Sequence, residues 1–257
     1  MQLTERQVFT KDFYKRTLHG SLQSAREIIP LIMKLVKPKS VIDVGCGKGV
    51  WLSAFKEFGI ADVLGIDGDW IDKDTLQIPN ETFLVLDLKQ PIQLVRHFDL
   101  VVSLEVAQYL PKECASRFVE SLTKLGSVIL FSSGIPYQTS YLNLNPQWPD
   151  YWADLFQRKG YGAIDCLRRI IWNNDKIEPW YVQNILLYVR LDNLKDHPLL
   201  YREYKNTNHS MLSIVHPKYY LGASDYMNLS VKKTIRVLPK MIYKAIKVRV
   251  KYIFMKE

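Results

Sequence analysis

A glycine-rich turn between an apolar run and an amphipathic segment constrains the fold of this chain most strongly. The run at 40–44, Ser-Val-Ile-Asp-Val, is short and apolar, which indicates a buried strand, and it leads directly into Gly45, Gly47 and Gly49. Residues 50–58 place large apolar side chains on the inner side of a helix. Glycines at a strand-to-helix turn permit a tight backbone and the close approach of a ligand. The turn therefore predicts an α/β fold with a ligand site at the end of this first strand.

Apolar runs alternate with helical patterns along the rest of the first 190 residues. The patterns predict helices at 21–36 (with Ser21 as its cap), 112–124 and 148–158, and further strands at 62–66, 82–86, 98–103, 127–132, 162–167 and 182–189. Strands that alternate with helices predict a mostly parallel sheet with helices on both faces. Residues 191–230 carry mixed polar and aromatic signals without a clear period.

The pattern around the glycines disfavours a phosphate ligand. Asp43 leads a Gly-x-Gly-x-Gly pattern, which differs from the Gly-x-Gly-x-x-Gly of dinucleotide-binding turns. Lys48 is followed by Gly49 and not by the Ser or Thr of a phosphate loop. A nicotinamide-binding domain, or a fold with a vestigial loop, remains the alternative interpretation.

Polar side chains also end the next three strands. Asp67 follows the second strand, where a carboxylate is well placed to accept two ribose hydroxyls. Asp87 and Leu88 follow the third, where a side chain could flank an adenine, and the fourth runs through Ser103 and Leu104 into Glu105. Because ligands bind at the carboxyl ends of strands in open α/β sheets, these positions predict one shared site.

This set of motifs, over about residues 21–190, resembles the class I S-adenosylmethionine (SAM)-dependent methyltransferases. Within them it is similar to small bacterial enzymes of polysaccharide and secondary-metabolite gene clusters, through the stretches 20–25, 132–136, 147–152 and 180–184. The resemblance implies a seven-stranded sheet with an antiparallel last strand, SAM as cofactor and S-adenosylhomocysteine as product. The expected cofactor-binding residues are Asp43, Gly45, Cys46, Gly47, Gly49, Asp67, Gly68, Asp87, Leu88, Ser103 and Leu104.

The chain departs from these relatives beside the expected methyl group. Where they have Glu-His, this chain has Gln108 and Tyr109; Asn143 stands at a usual His, and Pro146 at a usual Glu. With those ligands replaced, we predict no catalytic metal. The candidate catalytic residues are Glu105, His19 and Tyr109, although each could instead have a structural role.

Aromatic residues crowd the segment after the fifth strand and predict the acceptor wall, with a packed hydrophobic lid as the alternative. The candidate substrate-binding residues are Gln108, Tyr137, Tyr141, Asn143 and Trp148. Trp148 and Trp152 share a helix face and are also core candidates. Trp172, Trp180 and Tyr181 are expected on the same side, with Arg168, Arg169, Gln183 and Asn184 as polar contacts for an acceptor.

Charge is concentrated at the carboxyl-terminal end of the chain. Of the net charge of +9, most comes from residues 231–257, which hold nine Lys and Arg against one acid. Their spacing predicts a basic amphipathic helix that docks on a membrane surface or a partner protein, or else a solvated helix face. The rest of the chain is close to neutral, which makes a nucleic-acid substrate such as RNA unlikely on charge grounds.

These observations predict four segments: a helical cap (1–39), the SAM-binding domain (40–190), an irregular extension (191–230) and the basic tail (231–257). Three scattered cysteines and an amino terminus without an apolar core indicate a cytoplasmic protein, with the tail able to hold it at the inner membrane face.

The predicted function is O-methylation of a sugar, glycan or related small metabolite by metal-independent, in-line transfer. The alternative is a catalytically weak or inactive SAM-binding partner of a glycan-assembly enzyme, docked by its basic tail.

Overall fold

The computed structural model describes residues 10–138, 143–224, 238–239 and 242. Tyr141 therefore lies outside the described residues, as does the predicted tail helix at 231–257 apart from three positions. The chain divides into two compact units, Met1–His216 and Pro217–Glu257. The described helices include none that is long and apolar enough to cross a membrane.

The first unit contains a seven-stranded sheet. Its strands are β1 (Ser40–Val44), β2 (Asp62–Asp67), β3 (Phe83–Val85), β4 (Leu100–Leu104), β5 (Val128–Ser132), β6 (Tyr161–Ile164) and β7 (Leu186–Arg190). The strand order is β3-β2-β1-β4-β5-β7-β6. Strands β1 to β5 pair in parallel, whereas β7 is antiparallel to both β5 and β6. The predicted seven-stranded, mostly parallel sheet is confirmed.

The described residues of the first unit also form α-helices that connect and cover these strands. In the first unit they are α1 (Lys11–Leu35), α2 (Val50–Glu57), α3 (Ala115–Leu125), α4 (Pro149–Gln157), α5 (Leu167–Ile171), α6 (Pro179–Asn184) and α7 (Pro198–Lys205). The second unit contributes α8 (Pro217–Ser224). Short 3-10 turns occupy Lys73–Thr75, Asn80–Thr82, Ala107–Tyr109, Lys112–Cys114, Leu191–Asp196 and His209–Met211.

The sheet carries a separate hydrophobic core on each face. Val41 of β1 belongs to the cluster that contains Ile28 and Ile32 of α1. Its neighbour Ile42 points the other way and belongs to the cluster that contains Phe118 of α3. Because side chains alternate across a strand, a strand buried on both faces needs apolar residues on both sides, as β1 has at Val41, Ile42 and Val44. Helices on both faces are thereby confirmed.

One helix and one strand begin well away from their predicted positions. The first helix begins at Lys11 and not at residue 21, so Ser21 lies inside it and caps nothing. It also runs through Pro30, whose cost is offset by packing, since Ile28, Ile29 and Ile32 are fully buried. The strand predicted at 182–189 begins only at Leu186, because residues 179–184 form α6.

The segment after β7 is more regular than predicted. Instead of an irregular extension, residues 191–205 form a 3-10 turn and α7, and α7 packs against β6. Leu194, Leu200 and Leu212 from this segment are buried in the two cores. Their burial makes residues 191–216 an integral part of the first unit.

A buried arginine fixes this segment to the sheet. Arg168 is 1% exposed and forms a bidentate ion pair with Asp165, with N–O distances of 2.8 and 2.6 Å. Its Nη1 also donates to the backbone oxygens of Gln183 and Leu212. Neighbouring Arg169 is largely exposed and pairs with Glu203. Both predicted acceptor contacts are therefore engaged within the protein.

This difference in burial yields a stability prediction. Arg168→Ala should lower the free energy of unfolding by about 3–5 kcal/mol, because it leaves Asp165 and two carbonyls without their partner. Arg169→Ala should lower it by less than about 1 kcal/mol, as expected for an exposed ion pair. Urea denaturation of the two variants measures both values. Equal losses would show that Arg168 does not anchor the segment.

Candidate active site

A cavity of about 460 Å³ opens along the carboxyl ends of the parallel strands. The glycine turn after β1 and the end of β2 form one part of it, and Glu105 after β4 forms another. Residues of α1 and α6 also line it, including Tyr14, Leu18 and Tyr181. In the strand order, the sheet extends in opposite directions from the β1–β4 pair, and ligands of α/β sheets bind at such a point.

Three backbone amides of the glycine turn, those of Gly45, Cys46 and Gly47, bond to the end of β2. Gly45 and Cys46 donate to the backbone oxygen of Ile66, at 2.8 and 3.1 Å. Asp67 accepts from the amides of Gly47 and Gly68, both at 2.7 Å. Gly45 and Gly47 have φ of 85° and 54°, the left-handed region that favours glycine. A Cβ on Gly45 would lie 2.3 Å from Val106, so the turn also needs glycine for space.

The chemistry of this part of the cavity suits SAM. Asp43 and Asp67 are 3% and 5% exposed and both line the cavity. Burial, and then the neighbouring charge of Asp67, raises the pKa of Asp43 well above its usual range. A cationic ligand would offset that effect, and SAM carries an ammonium and a sulfonium. Lys48 also lines the cavity, near the ring of Tyr14, and can face a ligand carboxylate.

Glu105 is the centre of a cluster of amide side chains. Gln108 and Gln138 donate to its Oε2, at 3.2 and 3.0 Å, and Asn184 donates to its Oε1 at 3.0 Å. Its own backbone amide donates to the carbonyl and hydroxyl oxygens of Ser132, at 2.9 and 3.0 Å. Glu105 also has a φ of 57°, which is uncommon for a residue other than glycine.

The surroundings of Glu105 tune its proton affinity. Burial raises the pKa of Glu105 to about 7, although the hydrogen bonds from Asn184, Ser132, Gln138 and Gln108 oppose that rise. A carboxyl group with a pKa near 7 can exchange a proton at neutral pH, which an ordinary glutamate does poorly.

The cavity brings together most of the predicted cofactor and catalytic residues. Those that line it are Asp43, Gly45, Cys46, Gly47, Asp67, Asp87, Leu88, Leu104, Glu105 and Tyr109. Gly49, Gly68 and Ser103 are adjacent but outside the lining. Gly49 precedes α2, the amide of Gly68 holds Asp67, and the buried hydroxyl of Ser103 donates to Val44 of β1.

His19 does not join this site. Its side chain is exposed and does not line the cavity, although Leu18 beside it does. Adjacent residues on a helix point about 100° apart, so Leu18 can face the cavity while His19 faces solvent. We therefore give it no part in the chemistry.

The predicted acceptor residues that the structure describes lie behind or away from the cavity. Gln108 is buried and bonds to Glu105, and the amide of Asn143 donates to the backbone oxygen of Gln138. Tyr137 is 93% exposed. Trp148 is half-buried at the start of α4, whereas Trp152 is a core residue, as predicted. From 137–148, the described residue that lines the cavity is Gln138.

Sequence reasoning missed Gln138 and the contribution of α1. Tyr14, Leu18 and Ser21 line the cavity and are spaced as on one face of a helix. Because the sequence prediction starts this helix at residue 21, it leaves out Tyr14 and Leu18. Trp180 and Tyr181, expected near the acceptor, do line it. Gln138 carries no distinguishing sequence pattern. The described residues contain no group of three or more His, Cys, Asp or Glu side chains that could hold a metal.

Comparisons with known proteins agree with this geometry. A family model described as a methyltransferase domain matches residues 14–165, more than half of the chain. No curated protein sequence matches.

Among solved structures, SAM-bound CalS10, an amino pentose methyltransferase from Micromonospora echinaspora, superposes with a TM-score of 0.52 at 13% identity, over 69% of this chain and 96% of that one. The methyltransferase domain of a bacterial CtHen1 gives a TM-score of 0.49 at 17% identity, over 65% and 97%. DesVI from Streptomyces venezuelae gives 0.41 at 21% identity, over 55% of this chain and 62% of that one, so this chain spans less than two thirds of DesVI.

The family match, the shared fold and a cavity suited to a cationic nucleoside lead to one assignment. The chain belongs to the methyltransferase domain family and is a SAM-dependent methyltransferase.

Proposed function

We propose that the protein methylates a hydroxyl group of a sugar, glycan or related small metabolite, with Glu105 as the base. The observation that carries this proposal is the carboxyl of Glu105, which lines the cavity, has a pKa near 7 and is surrounded by neutral amides. A base with a pKa close to the working pH combines a useful ionised fraction with a useful proton affinity.

The cofactor would be held by the part of the cavity at β1 to β3. Asp67 would accept hydrogen bonds from the ribose, the backbone of Gly45 and Gly47 would lie against the amino-acid portion, and Asp87 and Leu88 would flank the adenine. When bound, SAM supplies an activated methyl group on a positively charged sulfur.

The protein's own contribution is then alignment and proton removal. Glu105 would orient the acceptor hydroxyl and take its proton as the oxygen is methylated, a step that needs no metal. Correct alignment of two reactants can supply much of the rate acceleration. Trp180 and Tyr181, which line the cavity from α6, offer ring faces against which a sugar can pack.

Two weaker lines support a sugar acceptor. CalS10, whose fold this chain shares, is described as an amino pentose methyltransferase. The near-neutral body of the chain also favours a small acceptor over a nucleic acid. A cytoplasmic location at the inner membrane face, with the basic tail at 231–257 docked on lipid or on a partner protein, would give access to lipid-linked glycans.

The second candidate is an inactive SAM-binding partner of a glycan-assembly enzyme. The replacement of the relatives' Glu, His and His by Gln108, Tyr109 and Asn143 favours it. Under this view, the triple variant Gln108→Glu, Tyr109→His, Asn143→His should gain activity. Robust turnover by the wild-type protein would reject it.

The assignment of the cofactor site gives a binding prediction. Asp67→Ala should weaken binding of both SAM and S-adenosylhomocysteine by at least about tenfold, because charge-assisted hydrogen bonds and the anchor of the glycine turn are lost. The matched control is Asp69→Ala, two residues away at an exposed position outside the cavity lining. Calorimetry measures both. Unchanged affinity in Asp67→Ala would contradict the assignment.

The assignment of the base gives a kinetic prediction. Labelled SAM should transfer its methyl group to a member of a panel of nucleotide sugars and glycolipids, and Glu105→Gln should reduce kcat/KM about 100- to 10,000-fold. With a pKa near 7, about a tenth of Glu105 is ionised at pH 6 and about nine tenths at pH 8, so kcat/KM should rise with pH to a plateau.

Tight SAM binding without transfer to any member of the panel would count against an acceptor of this class. Full activity of Glu105→Gln would show that Glu105 is not the base.

A further inference from the structure

We propose that Gln138 and Asn184 are positioning residues that clamp the carboxylate of Glu105, one on each oxygen, and thereby leave Oε1 as the atom that receives the acceptor's proton. The inference rests on the proposed role of Glu105. It follows from how the donors are distributed over the carboxylate and from where the two amides stand in the fold.

The two carboxylate oxygens of Glu105 accept different numbers of hydrogen bonds from side-chain amides. Oε2 accepts from Gln108 and Gln138, which occupies both of its lone pairs. Oε1 accepts from one side-chain amide of the described residues, that of Asn184. The hydroxyl of Ser132 also favours the charged carboxylate. Because Oε1 has fewer amide donors than Oε2, it is the oxygen with more capacity to accept a hydroxyl in the cavity.

The two clamping amides are also bonded to each other. Nδ2 of Asn184 donates to Oε1 of Gln138 at 2.9 Å as well as to Glu105, which uses both of its hydrogens. Asn184 is 3% exposed, and its Oδ1 has no hydrogen-bond partner among the described residues. Burying an unpartnered carbonyl costs free energy, so the amide is oriented for what its nitrogen donates.

The clamp joins separate parts of the sheet's carboxyl edge. Glu105 follows β4, Gln138 follows β5, and Asn184 ends α6 just before β7. The backbone of Glu105 is fixed independently, since its amide is bonded to Ser132 at the end of β5. A left-handed residue persists where its surroundings enforce the conformation, and here both backbone and side chain are held.

Loss of either amide should change the proton affinity of Glu105 in a defined direction. Each N–H favours the charged carboxylate and lowers its pKa against the opposing effect of burial. Removing one donor should therefore raise the pKa of Glu105, by about one pH unit if the hydrogen bond has the usual strength of a charge-assisted one. The base would then need a higher pH to ionise.

The test is a carboxyl-carbon NMR titration of the full chain labelled with ¹³C-glutamate, without cofactor, using Glu105→Gln to assign the signal. Asn184→Leu and Gln138→Leu should each raise the pKa of Glu105. Gln183→Leu is the matched control, because Gln183 is the buried amide next to Asn184 but bonds to Ile214 and His216. It should leave the pKa of Glu105 unchanged. Gln138 is half-buried, so its variant provides the test if Asn184→Leu does not fold.

The titration tests the clamp, and the activity measurement tests the role of Glu105 as the base, so each claim can be contradicted without the other. An unchanged pKa of Glu105 in the clamp variants overturns the inference, whatever their activity. An equal rise in Gln183→Leu overturns it as well. If the pKa rises in the clamp variants but the pH profile of methyl transfer does not move with it, the clamp is supported and the role of Glu105 as the base is contradicted.

Discussion

The carboxylate of Asp67 is the interaction on which the rest of the site depends. One oxygen holds the amide of Gly47 and the other holds the amide of Gly68, both at 2.7 Å. The first bond keeps the glycine turn after β1 against the end of β2, in a backbone conformation that favours glycine, and the second orients the carboxylate. The same residue lines the cavity, so one side chain both shapes the turn and faces the space that we propose for the cofactor.

The part of the site that belongs to β1–β3 could be predicted from sequence because its signals are local. Strand, glycine turn and terminal acid follow one another within a few residues, as at 40–49 and 62–67. The topology of an open sheet then brings the strand ends together. The alternation of strands and helices, and most residues that line the cavity at β1–β3, could be predicted for this reason, whereas the antiparallel last strand was implied by the family resemblance.

The part of the candidate site around Glu105 depends on contacts between segments that are distant in sequence. No local sequence pattern predicts such contacts. Gln138 and Asn184 meet Glu105 from separate connections, 33 and 79 residues away in sequence. The described acceptor candidates Tyr137, Asn143 and Trp148 lie outside the cavity lining, whereas α1 and α6 contribute to its walls. The start of α1 was missed because Ser21 has the character of a helix cap, whereas the helix begins at Lys11 and places Tyr14 and Leu18 in the cavity wall. Neighbouring amides keep Glu105 ionisable near neutral pH, and this depends on the assembled fold.

The most direct test of the central claim is a crystal structure of the protein with S-adenosylhomocysteine. The account predicts a ribose within hydrogen-bonding distance of Asp67, with the sulfur directed toward the end of the cavity at Glu105. A nucleoside bound elsewhere, or a sulfur directed away from Glu105, would contradict it.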